Sequence, residues 1–243
     1  MKEFFERVED ENLVGIEIDM NAYGYSQKFS WLLSIFVKFD AQQKEDNAFE
    51  EFLETKESLI IALEHSGKAK YVGMRMVDGW SEFYFYADSA KNLDNIVAKM
   101  LQPSNYIYES NVVKDNKWDF HYKNLLPSDL ELAHIQSEKI IFLLQEEEDD
   151  LSVIRPVEHY LSFSTPTQKN RFVNTLELEG FSFKDEIESD TFEHGIALVK
   201  EHNITSDEVK KNVTLLFEAV KKEHGFYEGW STVLAEELKE VAL

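Results

Sequence analysis

Apolar and polar positions alternate with two different periods along this chain, and the changes of period outline its elements. Leu13-Val14-Gly15-Ile16-Glu17-Ile18-Asp19 alternates as a strand does. Trp31 to Phe39 is a longer strand-like run with Ile35, Val37 and Phe39 on one face. Phe49, Phe52, Leu53, Ile60 and Leu63 then fall at helical spacing behind Asn47, a residue type suited to cap a helix, and His65-Ser66-Gly67 stops it. Tyr71–Val77 and Phe83–Tyr86 read as two strands around Asp78-Gly79, a tight hairpin signal. Leu93, Ile96, Val97, Met100 and Leu101 mark a second helix closed by Pro103, and Tyr106–Val113 is a final strand. The order predicted for residues 1–127 is β-β-α-β-β-α-β.

Beyond Pro127 the pattern begins again. Ser128-Asp129-Leu130-Glu131 is a capping box, followed by an apolar stripe of Leu130, Ile140, Ile141 and Leu144. The five acids Glu146–Asp150 come next, a composition typical of a solvated linker. Residues 128–151 are therefore expected to be a connecting helix and acidic linker. From residue 152 to 243 the pattern predicts β-α-β-β-α-β. Its parts are a strand over Val157–Phe163, a helix capped by Thr165 with Pro166 at its first position, a strand pair over Phe181–Ile187 and Gly195–Lys200, a helix opened by Thr205-Ser206-Asp207-Glu208, and a last strand over Phe226–Leu234. Both halves thus share a βαββαβ skeleton. The expected fold class is α+β, two tandem ferredoxin-like antiparallel sheet and helix sandwich domains.

Composition narrows the chemistry. The 243 residues include no cysteine, which removes disulfides, thiolate metal sites and a cysteine nucleophile. The start of the chain, Met1-Lys2-Glu3-Phe4-Phe5-Glu6-Arg7, is not a signal peptide, and no apolar run is long enough to span a membrane, so a cytoplasmic location is expected. Forty-seven acidic residues face 25 basic ones, a formal charge of -22. Such a field repels nucleic acid and anionic lipid and attracts basic proteins. It is uneven: residues 1–127 carry 14 basic and 22 acidic groups, net -8, while residues 128–243 carry 11 and 25, net -14.

No phosphate-binding loop, dinucleotide fingerprint or nucleophile elbow occurs, and none of the seven histidines pairs at metal-ligand spacing. His159 lies within a strand, where a satisfied structural role is the ordinary one, and His194 and His202 sit at opposite ends of another. Neither a cofactor nor a metal is expected. The candidate binding residues are aromatic. Tyr227-Glu228-Gly229-Trp230 places two anchor-type side chains on the closing strand, although Trp230 also fits a core position and Gly229 a bulge. Asp78 and Trp80 sit at the hairpin tip, where either plain turn chemistry or ligand contact would account for them.

Three stretches of the second half carry a resemblance. They are Val157-Glu158-His159-Tyr160-Leu161-Ser162, Leu176 through Gly180-Phe181-Ser182-Phe183, and Tyr227-Glu228-Gly229-Trp230-Ser231-Thr232. Together, over about 90 residues, they resemble the family called regulator of ribonuclease E activity B, with Ser231 standing where the family has Gly. In the first half, Tyr71-Val72-Gly73, Gly79, Glu82-Phe83-Tyr84-Phe85-Tyr86 and Trp118-Asp119-Phe120 before Tyr122 are similar to domain of unknown function 695, which brings no activity with it. The first resemblance implies a cytoplasmic regulatory protein rather than an enzyme: an acidic inhibitor that binds ribonuclease E, or another basic RNA-processing protein, without touching nucleic acid or membrane. The alternative is a small-molecule binder using a cleft between the two domains. A hydrolase built on dispersed carboxylates is a third reading, which would need two acids set about 5–10 Å apart in a cleft.

Overall fold

The computed structural model describes residues 1–40, 47–104, 106–175, 178–189 and 192–237. The chain divides into two compact units, Met1–Pro127 and Ser128–Leu243, each built on its own antiparallel sheet.

In the first unit the strands are β1 (Lys2–Glu9), β2 (Asn12–Asp19), β3 (Trp31–Val37), β4 (Ala69–Val77), β5 (Trp80–Ala87) and β6 (Tyr108–Lys114), and the helices are α1 (Asn47–Glu64) and α2 (Leu93–Leu101). The sheet order is β1-β2-β4-β5-β3-β6. Strand β1 was not expected. Its sequence, Lys-Glu-Phe-Phe-Glu-Arg-Val-Glu, has two adjacent phenylalanines that blur the alternation, and only pairing with β2 in the register Phe5↔Ile16 gives each a face. Phe5 is buried on one face of the ribbon and Phe4 stands exposed on the other. The predicted hairpin is present: Asp78 (φ +50°) and Gly79 (φ +73°) join β4 to β5, with Val77 opposite Trp80.

Helices α1 and α2 lie on one face of this sheet. Leu33, Ile35 and Val37 of β3 pack with Phe52, Leu59 and Leu63 of α1 and Val97 and Leu101 of α2. The opposite face is closed by Trp118 and its neighbours. The Trp118 ring stacks on Tyr86 at 3.9 Å, and its indole N–H donates to the Phe29 carbonyl at 2.7 Å. Asp115 accepts from the Tyr86 hydroxyl at 2.6 Å and from the backbone N–H groups of Asp119 and Phe120. The Trp118-Asp119-Phe120 segment is therefore a structural clasp. Gly73 has a similar explanation: a Cβ there would sit 2.5 Å from the Glu17 carbonyl, so the approach of β2 to β4 excludes any larger residue.

The second unit holds α3 (Asp129–Glu146), β7 (Arg155–Phe163), α4 (Pro166–Asn174), β8 (Ser182–Ser189), β9 (Phe192–His202), α5 (Ser206–Lys222) and β10 (Phe226–Thr232), with sheet order β10-β7-β9-β8. Both halves of the Ser128 capping box form. Thr165 caps α4 as expected, its hydroxyl accepting from the Gln168 N–H. Thr205 occupies the cap position of α5 without a cap bond. Its hydroxyl donates instead to Asn203 Oδ1 at 2.7 Å, and its backbone N–H donates to the same oxygen at 3.2 Å, so neither half of the capping box expected there forms. Leu176, part of the quoted resemblance, lies outside the described residues.

The expectation of a linker over residues 128–151 is corrected. Helix α3 belongs to the second unit: Ala133 and Ile141 are buried against Val209 and Val213 of α5 and Trp230 of β10. The acidic block ends in a buried ion pair. Asp149 Oδ2 meets Arg155 Nη1 at 2.6 Å with both side chains excluded from solvent, and Asp149 Oδ1 accepts from the Ala235 N–H at 2.8 Å. Arg155 also donates to the Val233 carbonyl at 3.0 Å. A run of five acids reads as solvated because charge repels charge, but one member found a buried guanidinium, which composition cannot reveal.

Candidate functional site

The candidate residues on β10 sit beside a groove of about 490 Å³ in the second unit. One wall is the first half of α3, with Asp129, Leu132 and Gln136. The other is the end of α5, with Phe217 and Lys221, and the segment His224–Glu228 closes it. Phe226 projects from the rim with most of its ring in solvent. The groove itself is mixed in charge: Asp129 and Glu228 stand with Lys221, whose ammonium lies 5.2 Å over the Phe217 ring.

The four predicted residues of β10 separate here. Trp230 is core: it is buried, and its indole N–H donates to Ser137 Oγ at 3.0 Å, tying β10 to α3. Ser137 in turn donates to the Ala133 carbonyl. Gly229 has φ +136° and follows a register shift between Tyr227 and Gly229 against β7, so Glu228 is the extra residue of a bulge. The bulge turns Glu228 outward, where its carboxylate accepts the Ser162 hydroxyl. Tyr227 lines the groove with part of its ring and sends its hydroxyl inward.

That hydroxyl begins a buried chain. Tyr227 Oη lies 2.9 Å from His159 Nδ1, His159 Nε2 lies 3.3 Å from His202 Nε2, and His202 Nδ1 lies 2.6 Å from the Asn203 carbonyl. A carbonyl only accepts, so the His202 proton sits on Nδ1 and its Nε2 is an acceptor. His159 must then donate from Nε2, which leaves Nδ1 to accept from Tyr227. With both rings neutral every bond in the chain is satisfied. Burial, reinforced by His202 and Lys200 nearby, lowers the His159 pKa to about 3. Burial also lowers His202, against the pull of its bond to Asn203. Burial pushes the Tyr227 hydroxyl up. The expectation of a satisfied, structural His159 agrees with this geometry. The His159–His202 contact itself was missed, because the two lie 43 residues apart and meet only through the β7–β9 register, in which His159 faces Leu198.

Asp78 and Trp80 lie on the other unit, at the β4–β5 hairpin. Asp78 is exposed and Trp80 half-buried, and neither lines the groove of β10. The first unit has its own apolar groove, of about 560 Å³, beside α1. At its base Lys56 Nζ meets Glu17 Oε2 at 2.6 Å, and the Tyr71 hydroxyl donates to Glu17 Oε1 at 2.9 Å. Burial works against the Glu17 charge, but Lys56 and Tyr71 outweigh it and hold the carboxyl below its usual range.

Among the described residues no group of three or more His, Asp or Glu side chains is placed to hold a metal ion, and no helix is long and apolar enough to cross a membrane.

Family comparisons bear on the two units separately. Residues 134–232, from the second turn of α3 to the end of β10, match the family regulator of ribonuclease activity B. The matched span includes Tyr227–Trp230, His159 and His202, while the Asp129–Ala133 wall of the groove precedes it. No curated protein matches the chain. Residues 2–126, more than half of the chain, match the family of unknown function DUF695, and the protein belongs to that family, with a second unit similar to regulator of ribonuclease activity B.

Proposed function

We propose that this protein is a cytoplasmic regulatory binding protein whose second unit contacts a ribonuclease, ribonuclease E or a related RNA-processing nuclease, and lowers its activity without catalysing a reaction itself. The observation that carries this reading is the match of residues 134–232 to regulator of ribonuclease activity B. The strand orders support a ferredoxin-like reading of both units. β10-β7-β9-β8 in the second and β6-β3-β5-β4 in the first are the same arrangement of a βαββαβ chain, with β1 and β2 added beyond β4.

The groove between α3, α5 and β10 is the contact site in this reading. Phe226 and Tyr227 supply an apolar surface for an anchor side chain of the nuclease. The net charge of -14 on residues 128–243 steers a basic nuclease surface toward it. Steering of this kind weakens as salt rises.

The test is a cleavage assay. Purified protein is added to ribonuclease E and a labelled RNA across a salt series, beside the variants Phe226→Ala and Glu228→Lys. Inhibition that fades with salt, and that falls about tenfold in potency with either variant, supports the reading. Undiminished cleavage at every salt, together with no nuclease recovered by the tagged protein from host lysate, overturns it.

A further inference from the structure

The first unit carries a surface that none of the above uses. A sheet of six strands spaced about 4.8 Å apart spans about 24 Å between its edge strands, more than two helices of about 10 Å diameter cover. Helices α1 and α2 pack over β3, β4 and β5, with β6 beside them, and the β1–β2 ribbon extends past α1, where among the described residues no helix lies on that face of it. Its residues on that face are Phe4, Glu6 and Val8 of β1 and Leu13 and Glu17 of β2, which the pairings Phe4↔Glu17 and Val8↔Leu13 set side by side. Phe4 is 52% exposed, Val8 72%, Leu13 51%, and Leu53 on the neighbouring flank of α1 42%. Between ribbon and helix runs the 560 Å³ groove, floored by Met74 and Met76 and walled by Phe49 and Phe52. An apolar strip this exposed on a chain so rich in charge calls for an occupant.

We propose that this groove is a docking site for one amphipathic helix of a partner protein, apolar on the buried side and basic along its flanks. Three observations select that occupant. The first is width: the uncovered strip is two strands across, about one helix diameter. The second is spacing. Phe4 and Val8 lie four residues apart on one strand, about 13 Å, which matches helix anchors about eight positions apart with an apolar residue between them.

The third is the charge of the rim. Glu6 borders the groove on the ribbon side, and Glu50, Glu54 and Glu57 follow at three- and four-residue spacing along α1, all three exposed. Among the described residues the cations in reach are Lys56 and Lys2, and both are turned onto Glu17. A basic flank therefore meets uncompensated acids, while an acidic helix is repelled. The two methionines on the floor suit a helix rather than one fixed small molecule, since their flexible thioethers adapt to the ridges of different side chains.

The experiment uses the full chain and a labelled synthetic helix of about 18 residues, the length of α1, with a leucine stripe and lysine flanks, followed by fluorescence anisotropy. Two controls accompany it: a scrambled peptide of the same composition, and the same stripe with glutamate flanks. The protein variants are Leu13→Ser with Leu53→Ser, and Glu54→Lys with Glu57→Lys, all at exposed positions, with unfolding midpoints measured to confirm that each folds. Saturable binding of the leucine–lysine helix is expected, weakened about tenfold or more by each pair of substitutions and by each peptide control, and unaffected by Glu228→Lys on the other unit. Equal binding of the scrambled peptide would reduce the effect to bulk charge attraction and overturn the proposal. So would a lack of binding, or a protein dimer that dissociates when Leu13 and Leu53 are replaced, which would assign the groove to a second copy.

Discussion

Helix α3 in the second unit and the β1–β2 ribbon in the first are both additions to a βαββαβ sheet, placed at opposite edges. Helix α3 lies against α5 and β10 and buries Trp230, so the addition covers apolar surface. The ribbon extends the sheet and exposes Phe4, Val8 and Leu13, so that addition uncovers it. The difference follows from geometry. A helix brings one apolar stripe and uses it at once, whereas two strands bring two faces and the unit closes only one. An edge that adds strands without a helix leaves a surface for something else.

The two units also treat buried charge differently, and removing it separates them most sharply. Asp149 and Arg155 are sealed from water, so Asp149→Ala leaves a guanidinium with no counter-charge and costs about 3–5 kcal/mol in urea unfolding. Glu17→Ala removes the partner of the buried Lys56, but Glu17 itself is partly exposed and the pair lies at the base of a groove rather than sealed within a core. The expected loss is about 1–2 kcal/mol. Equal losses would mean that the first groove is as closed as the Arg155 site.

Acid is the next test. Burial lowers His134, His159 and His202 in the second unit, and His121, to about 4, in the first. A histidine whose folded pKa lies below its unfolded value near 6.5 stabilises the fold fully above that value, and the contribution is lost as pH falls below it. With a folded value of about 3, His159 accounts for about 2 kcal/mol lost between pH 6.5 and 5. Urea unfolding at the two pH values should show this loss within a larger total, to which His121, His134 and His202 add, and His159→Gln should reduce the total by about 2 kcal/mol. An unchanged pH slope in that variant would place the titration elsewhere.

The smallest effect distinguishes the caps. Ser128→Ala removes a complete capping box and should cost about 1 kcal/mol. Thr205→Ala removes a hydroxyl bonded to Asn203 rather than to the α5 backbone, and should cost only a few tenths. Thermal unfolding of the two variants compares them directly.

Much of this architecture was legible along the chain because it is local. The helices announce themselves at Ser128 and Thr165, and the β4–β5 hairpin at Asp78-Gly79, because caps and turns are decided by residues within four positions of one another. The alternation of Val14, Ile16 and Ile18 marks β2, and the helical spacing of Val209, Val213, Leu216 and Val220 marks α5, because each needs only one face to be apolar. The aromatic strand Tyr227–Trp230 stood out in the sequence, but its separation into a core indole, an outward carboxylate and a groove-lining phenol depends on a bulge that pairing with β7 creates. The Tyr227–His159–His202 chain, the Asp149–Arg155 pair, and the uncovered face of a first strand whose adjacent phenylalanines hid its period all join groups that are unremarkable until a register or a packed helix brings them together. Periodicity follows from backbone geometry that every residue shares. Which distant polar groups meet, and which apolar face is left open, follows from sheet order and burial, and these exist only once the whole unit has closed.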